Sequence, residues 1–99
     1  MTPKAAQLLG LAMRAGKVLS GEEMVLQAVR SGKARLVLLA SDASENTAKK
    51  VKDKCSYYGV SCITTGDRYQ LGHAIGKVGR VTVAVTDGKL AESIQRQLT

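Results

Sequence analysis

The sequence predicts an α/β protein, a three-layer α/β/α sandwich with a four-stranded mixed sheet, formed as a single domain over residues 1–99. Three observations carry this reading. The chain has 99 residues, about the size at which one hydrophobic core suffices. Its apolar residues are small or branched, with no Trp and no Phe, a composition suited to helices packed on a sheet. Segments with a helical apolar period alternate with short runs of strand character, in the order α-β-α-β-α-β-α-β-α. No internal repeat and no linker interrupts the pattern.

From Lys4 to Ala15 the apolar residues Ala5, Leu8, Leu9 and Ala12 form one helical stripe. Pro3 suits the first turn, and Gly16 is a C-terminal stop. Lys17 to Leu19 reads as a short strand. Ser20-Gly21-Glu22-Glu23 matches the S-x-x-E capping box, in which the serine oxygen accepts from the third amide and Glu23 reaches back. The helix it opens turns Val25, Ala28 and Val29 inward and stops at Gly32. Arg35 to Ala40 is an almost continuous apolar run, the mark of a strand covered on both faces.

Asp42 and Ser44 are alternative N-caps for the next helix. That helix turns Ala48, Val51, Cys55 and Tyr58 inward, and Gly59 ends it. Its outer face holds Lys49, Lys50, Lys52, Asp53 and Lys54, with Glu45 spaced to pair with Lys49. A solvated face explains this charge run. Val60 to Thr64 is a strand, and Asp67 caps a short helix burying Leu71, Ala74 and Ile75. Gly72 weakens that helix by about 1 kcal/mol relative to Ala. Gly76-Lys77-Val78-Gly79-Arg80 is a loop and Val81 to Thr86 a strand. Asp87 caps a last helix with Leu90, Ile94 and Leu98 on one face.

Fifteen Lys and Arg against eight Asp and Glu give a formal charge of +7, which favours an anionic partner. The cations are spread along the chain, so a folded binding face is expected rather than a disordered arm. The N-terminus MTPKAAQLLGLAMR lacks the apolar run and cleavage site of a signal peptide. No stretch is apolar enough to span a membrane. A cytoplasmic location and no membrane partner follow as expectations. Cys55 and Cys62 then read as reduced core residues, and together with a lone His73 they are too few ligands for a structural zinc site.

Catalytic constellations are not in view. The chain has no G-x-S-x-G elbow, no H-E-x-x-H, no P-loop and no G-x-G-x-x-G after a strand. His73 reads as a surface or partly buried histidine, and Asp42 as a helix cap. The expectation is a non-enzymatic protein with no catalytic residues, no cofactor and no metal.

Two segments have the chemistry to grip RNA. The helix opening at Gly21 offers free backbone amides for phosphates or base edges, with Arg14 and Lys17 shortly before it. The loop from Ile75 to Arg80 sets apolar tips between glycines and cations, so that Val78 can lie under an unpaired base while Lys77 meets phosphate. The plain alternative for that loop is a helix-to-strand connection.

The run AGKVLSGEEMVLQAVRSGKARLVLLASDASENTAKK, followed by LGHAIGKVGRVTVAV, resembles the bacterial YlxQ-type proteins. These belong to the ribosomal protein superfamily that includes the archaeal and eukaryotic large-subunit proteins seven-Ae and thirty-e. The resemblance covers nearly the whole chain. It implies an α/β/α sandwich that binds structured RNA, typically kink-turns, through the first strand-to-helix junction and the loop before the last strand. In that family the helix opens Gly-Thr-Asn-Glu, with a lysine one turn later. This chain has Gly21, Glu22, Glu23 and Met24 there, with Gln27 at the lysine position. The expected RNA-binding residues are Lys17, Gly21, Glu22, Glu23, Gln27, Lys77, Val78 and Gly79. The expected partner is structured RNA, ribosomal RNA first, with the ribosome or ribosomal proteins beside it. A protein-interaction module on the same fold is the alternative, suggested by the Glu22-Glu23-Met24 departure.

Overall fold

The computed structural model describes residues 1–99. The elements follow the expected order: α1 (Pro3–Arg14), β1 (Val18–Ser20), α2 (Glu22–Arg30), β2 (Leu36–Leu39), α3 (Glu45–Tyr58), β3 (Cys62–Thr64), α4 (Arg68–Ala74), β4 (Thr82–Val85) and α5 (Gly88–Leu98). The sheet has the strand order β1-β4-β2-β3. β4 is antiparallel to both of its neighbours, whereas β2 and β3 run parallel, so the sheet is mixed as expected.

Alternation along β2 divides the interior into two cores. Leu36 and Leu38 pack with Leu9 and Ala12 of α1, Leu71 and Ile75 at α4, and Ala91 and Ile94 of α5. Val37 and Leu39 point the other way, onto Val25, Ala28 and Val29 of α2 and Val51 and Cys55 of α3. Every residue of β2 and β4 is buried. A strand covered on both faces has no polar side of its own, which is why β2 reads as an unbroken apolar run. In β4 the exception is Thr82, fully buried with a hydroxyl that has no hydrogen-bond partner.

Several local expectations are corrected. The Ser20–Glu23 capping box does not form: the N-cap is Gly21, with no side-chain cap hydrogen bond. Ser20 remains in the ladder opposite Val83, and its hydroxyl faces Arg80. The chain turns one residue later, at Gly21, whose φ of 98° suits a residue without Cβ. A capping box forms at Asp67 and Gln70 instead. Of the two candidate caps for α3, Ser44 is the one used, because Asp42 is drawn to Arg68. Lys49 pairs with Asp53, at 3.5 Å, and not with Glu45. Tyr58, expected inward, stays 42% exposed beyond the end of the α2–α3 core. Cys55 and Cys62 are free thiols. The neighbouring Cys62 thiol and burial push the Cys55 thiol up, so it stays protonated.

Candidate nucleic-acid interface

Sheet topology decides which loops share an edge. β4 begins where antiparallel β1 ends and where antiparallel β2 ends. The Gly21 turn, the Ser41–Ser44 turn and the loop before β4 therefore converge at one end of the sandwich. Three contacts tie the Gly21 turn, the late loop and α4 together. The Gly21 amide donates to the Thr82 carbonyl at 3.1 Å, Arg80 Nε donates to Ser20 Oγ at 3.3 Å, and the Arg80 amide donates to the Arg68 carbonyl at 3.0 Å.

Arg68 is the strut of this edge. Asp42 Oδ2 accepts from its Nε at 3.0 Å and Asp42 Oδ1 from its amide at 2.9 Å. The Asp42 carbonyl accepts from its guanidinium at 2.9 Å. Asp42 thus satisfies the first free amide of α4, a capping role on a different helix from the one expected. Gly72 holds the late loop from the other side, its carbonyl accepting from the Lys77 amide at 2.8 Å. A Cβ at Gly72 would lie 2.9 Å from the Gly79 Cα, so the buried face of α4 is shaped for the loop backbone to lie against it. What the sequence shows as a weak point in a short helix is a seat for the loop.

The loop presents Val78 at 87% exposure, with Lys77 exposed beside it and Gly79 half-buried. At α2 the amides of the first turn have no side-chain cap, since Gly21 supplies none. Glu22 turns from the edge to α3: its carboxylate accepts from Thr47 Oγ1 at 2.8 Å and from Lys50 Nζ at 3.3 Å. Glu23 and Gln27, one turn apart, lie exposed along α2 and border a shallow depression with Arg30. Seven of the eight expected residues thus lie at this edge or along the helix that starts there. Lys17 does not. It precedes β1, and its carbonyl accepts from the Thr86 amide at the far end of β4. At about 3.4 Å per extended residue, it is set back from Gly21 by roughly 14 Å.

The edge also contains residues that sequence reasoning passed over. Tyr69 is 64% exposed, and its ring comes within 4.0 Å of a Cβ built on Gly79. The available signal was its place just inside the Asp67 cap, away from the Leu71–Ile75 stripe. Arg68 carried no such signal, since its partners Asp42 and Arg80 are 26 and 12 positions away in sequence (68 − 42 and 80 − 68). His73 is exposed on α4 beside Arg14 of α1, apart from Asp42, so the two form no acid–base pair. No three His, Cys, Asp or Glu side chains converge as metal ligands, and no helix is long and apolar enough to cross a membrane.

Both carboxylates that brace the edge have lowered pKa values. At Glu22 the Thr47 hydrogen bond is the main cause and Lys50 the next. At Asp42 desolvation acts upward, and the Arg68 hydrogen bonds together outweigh it. A folded-state pKa below the unfolded one stabilises the fold above the ordinary values of 4.5 and 3.8, and that stability is lost as pH falls through the lowered values. Urea melts between neutral pH and pH ~3 are expected to show stability falling in that window. The double variant Glu22→Gln/Asp42→Asn should flatten the profile, and an unchanged profile would remove both carboxylates from the account.

The fold is a mixed-sheet α/β/α sandwich whose Gly21 turn and late loop share one edge. The chain belongs to the Ribosomal protein L7Ae/L30e/S12e/Gadd45 family, whose model matches residues 3–94. It is 55% identical over 87 residues to the RNA-binding protein YlxQ of Bacillus subtilis, covering 88% of this chain and 87% of that one. It is 39% identical over 85 residues to the large ribosomal subunit protein eL30 of Neurospora crassa, covering 80% and 74%. Among solved structures, a Bacillus halodurans protein described as of unknown function superposes with a TM-score of 0.93 at 43% identity, over 96% of each chain. The expected non-enzymatic character agrees with these relatives, which are RNA-binding and ribosomal proteins.

Proposed function

We propose that this protein binds structured RNA of the kink-turn kind, in the cytoplasm and in association with ribosomal RNA. One observation carries the reading: the capless start of α2 and the loop with the exposed Val78 tip meet at a single edge, joined by the Arg80–Ser20 contact. Family membership and the likeness to the RNA-binding protein of Bacillus subtilis support it. In this arrangement the first-turn amides and Glu23 face base edges and backbone, Val78 packs against an unstacked base, and Lys77 neutralises phosphate. Glu22 acts from behind, holding α2 against α3. Gln27 and Arg30 extend the contact along α2.

The test is a gel shift against a kink-turn RNA with a duplex of matched length as competitor. Preference for the kink is the expected result. Affinity is expected to fall steeply with salt, and Lys77→Ala should lower the log–log salt slope by about one unit; an unchanged slope would remove Lys77 from the contacts. The rival reading, a protein-interaction module, draws on Met24, 49% exposed beside the α2 start, because exposed Met makes an adaptable protein contact. It predicts no preference for the kink.

A further inference from the structure

The outer groove between α2 and α3 lies beyond the edge described above and meets it at Lys50, the partner of Glu22. It is an open groove of about 560 Å³ lined by Leu26, Lys50, Asp53, Lys54, Tyr57 and Tyr58. Two of the three tyrosines of the chain stand at its far end. Tyr57 is 83% exposed, and its ring meets that of Tyr58 edge to face, with centroids 4.9 Å apart. The contact steadies Tyr57 while leaving most of its surface open. Lys50 and Lys54 follow one another along the groove, one helical turn apart. The groove's one carboxylate, Asp53, is paired with Lys49.

We propose that this groove is a second RNA subsite, in which an unpaired nucleotide next to the structured RNA stacks on Tyr57 while its phosphate meets Lys54, with Lys50, held by Glu22, at the mouth of the groove. The proposal rests on the RNA-binding reading above. Aromatic faces flanked by cations suit single strands, because every base has a π-face and every linkage a charge. A protein partner would call for a wider apolar floor, and here the only aliphatic side chain is the half-buried Leu26. Continuity adds a second reason. Lys50 Nζ lies 3.3 Å from Glu22, the first residue of α2, and Tyr57 is seven residues further along α3, roughly 10 Å at the helical rise. A strand leaving the α2 start would run along the groove to the tyrosines.

The experiment compares three labelled RNAs: a blunt kink-turn duplex and the same duplex with a single-stranded oligouridine tail on one end or the other. One of the tails is expected to tighten binding of the unaltered protein about tenfold. Tyr57→Ala should abolish that gain and leave the blunt RNA unaffected, whereas Tyr57→Phe should keep it. Lys54→Ala should lower the salt slope of the tailed complex alone, by about one. Circular dichroism should show every variant folded, as expected where the side chain is exposed. A tail that adds nothing, or a gain that survives Tyr57→Ala, overturns the subsite and leaves the RNA-binding reading standing. Failure to bind any of the three RNAs overturns both.

Discussion

Replacing Gly72 by Ala is expected to lower both the melting temperature and the affinity for kink-turn RNA, although Ala is the better helix former. Propensity favours the substitution by about 1 kcal/mol. Against that stand three backbone atoms of the late loop: the Gly79 Cα at 2.9 Å from the new Cβ, and the Gly79 N and Val78 C at 3.0 Å. None is the free end of a side chain, so the loop itself must move. Overpacking of this kind costs about 1–3 kcal/mol. The net loss is of order 1 kcal/mol, a fall of about 4–8 °C for a domain of this size. Binding should fall more steeply, about tenfold or beyond, because the segment displaced is the one that presents Lys77 and Val78. Thermal melts and fluorescence anisotropy on the same preparation check both effects. A variant that melts higher and binds as before would show that the loop is not seated on α4.

Val78→Glu is expected to leave the fold almost unchanged and to weaken binding more than Gly72→Ala does. The side chain is 87% exposed, and surface changes of this sort shift stability by about 0.5 kcal/mol or less. Affinity should fall roughly a hundredfold, because covering the apolar tip beneath a base, worth up to about 1.5–3 kcal/mol for a fully buried Val side chain, is lost and a carboxylate is set among phosphates. Val78→Leu should bind nearly as the unaltered protein does. Together the two positions separate seating the loop, at Gly72, from touching the ligand, at Val78. If Val78→Glu binds normally, the tip of the loop does not meet RNA.

Nine elements in the right order were legible because their signals are local. The α1 stripe, the apolar run of β2 and the Gly59 stop of α3 need only neighbours three or four residues away. The Ser20–Glu23 capping box misled for a physical reason: the ladder between β1 and β4 holds Ser20 extended, and a pattern of four residues does not register a partner strand sixty positions later. Asp42 and Glu45 misled as well. Asp42 had a plausible capping role nearby in sequence, but packing brings Arg68 to it from 26 positions away, whereas Lys49 simply takes the other i,i+4 carboxylate, Asp53, on the exposed face of its own helix.

The chain by itself determined the layers and the two glycine-bounded segments with the chemistry to hold RNA, because apolar period and turn chemistry are written residue by residue. Tertiary structure alone decided that those segments share an edge, since this depends on antiparallel pairing of β4 with both β1 and β2. It decided that Lys17 stands apart from Gly21, because an extended strand separates residues that a sequence shows as close. It also gave Gly72, Arg68 and Tyr69 their meaning, through contacts with a loop that only the folded sheet carries to α4.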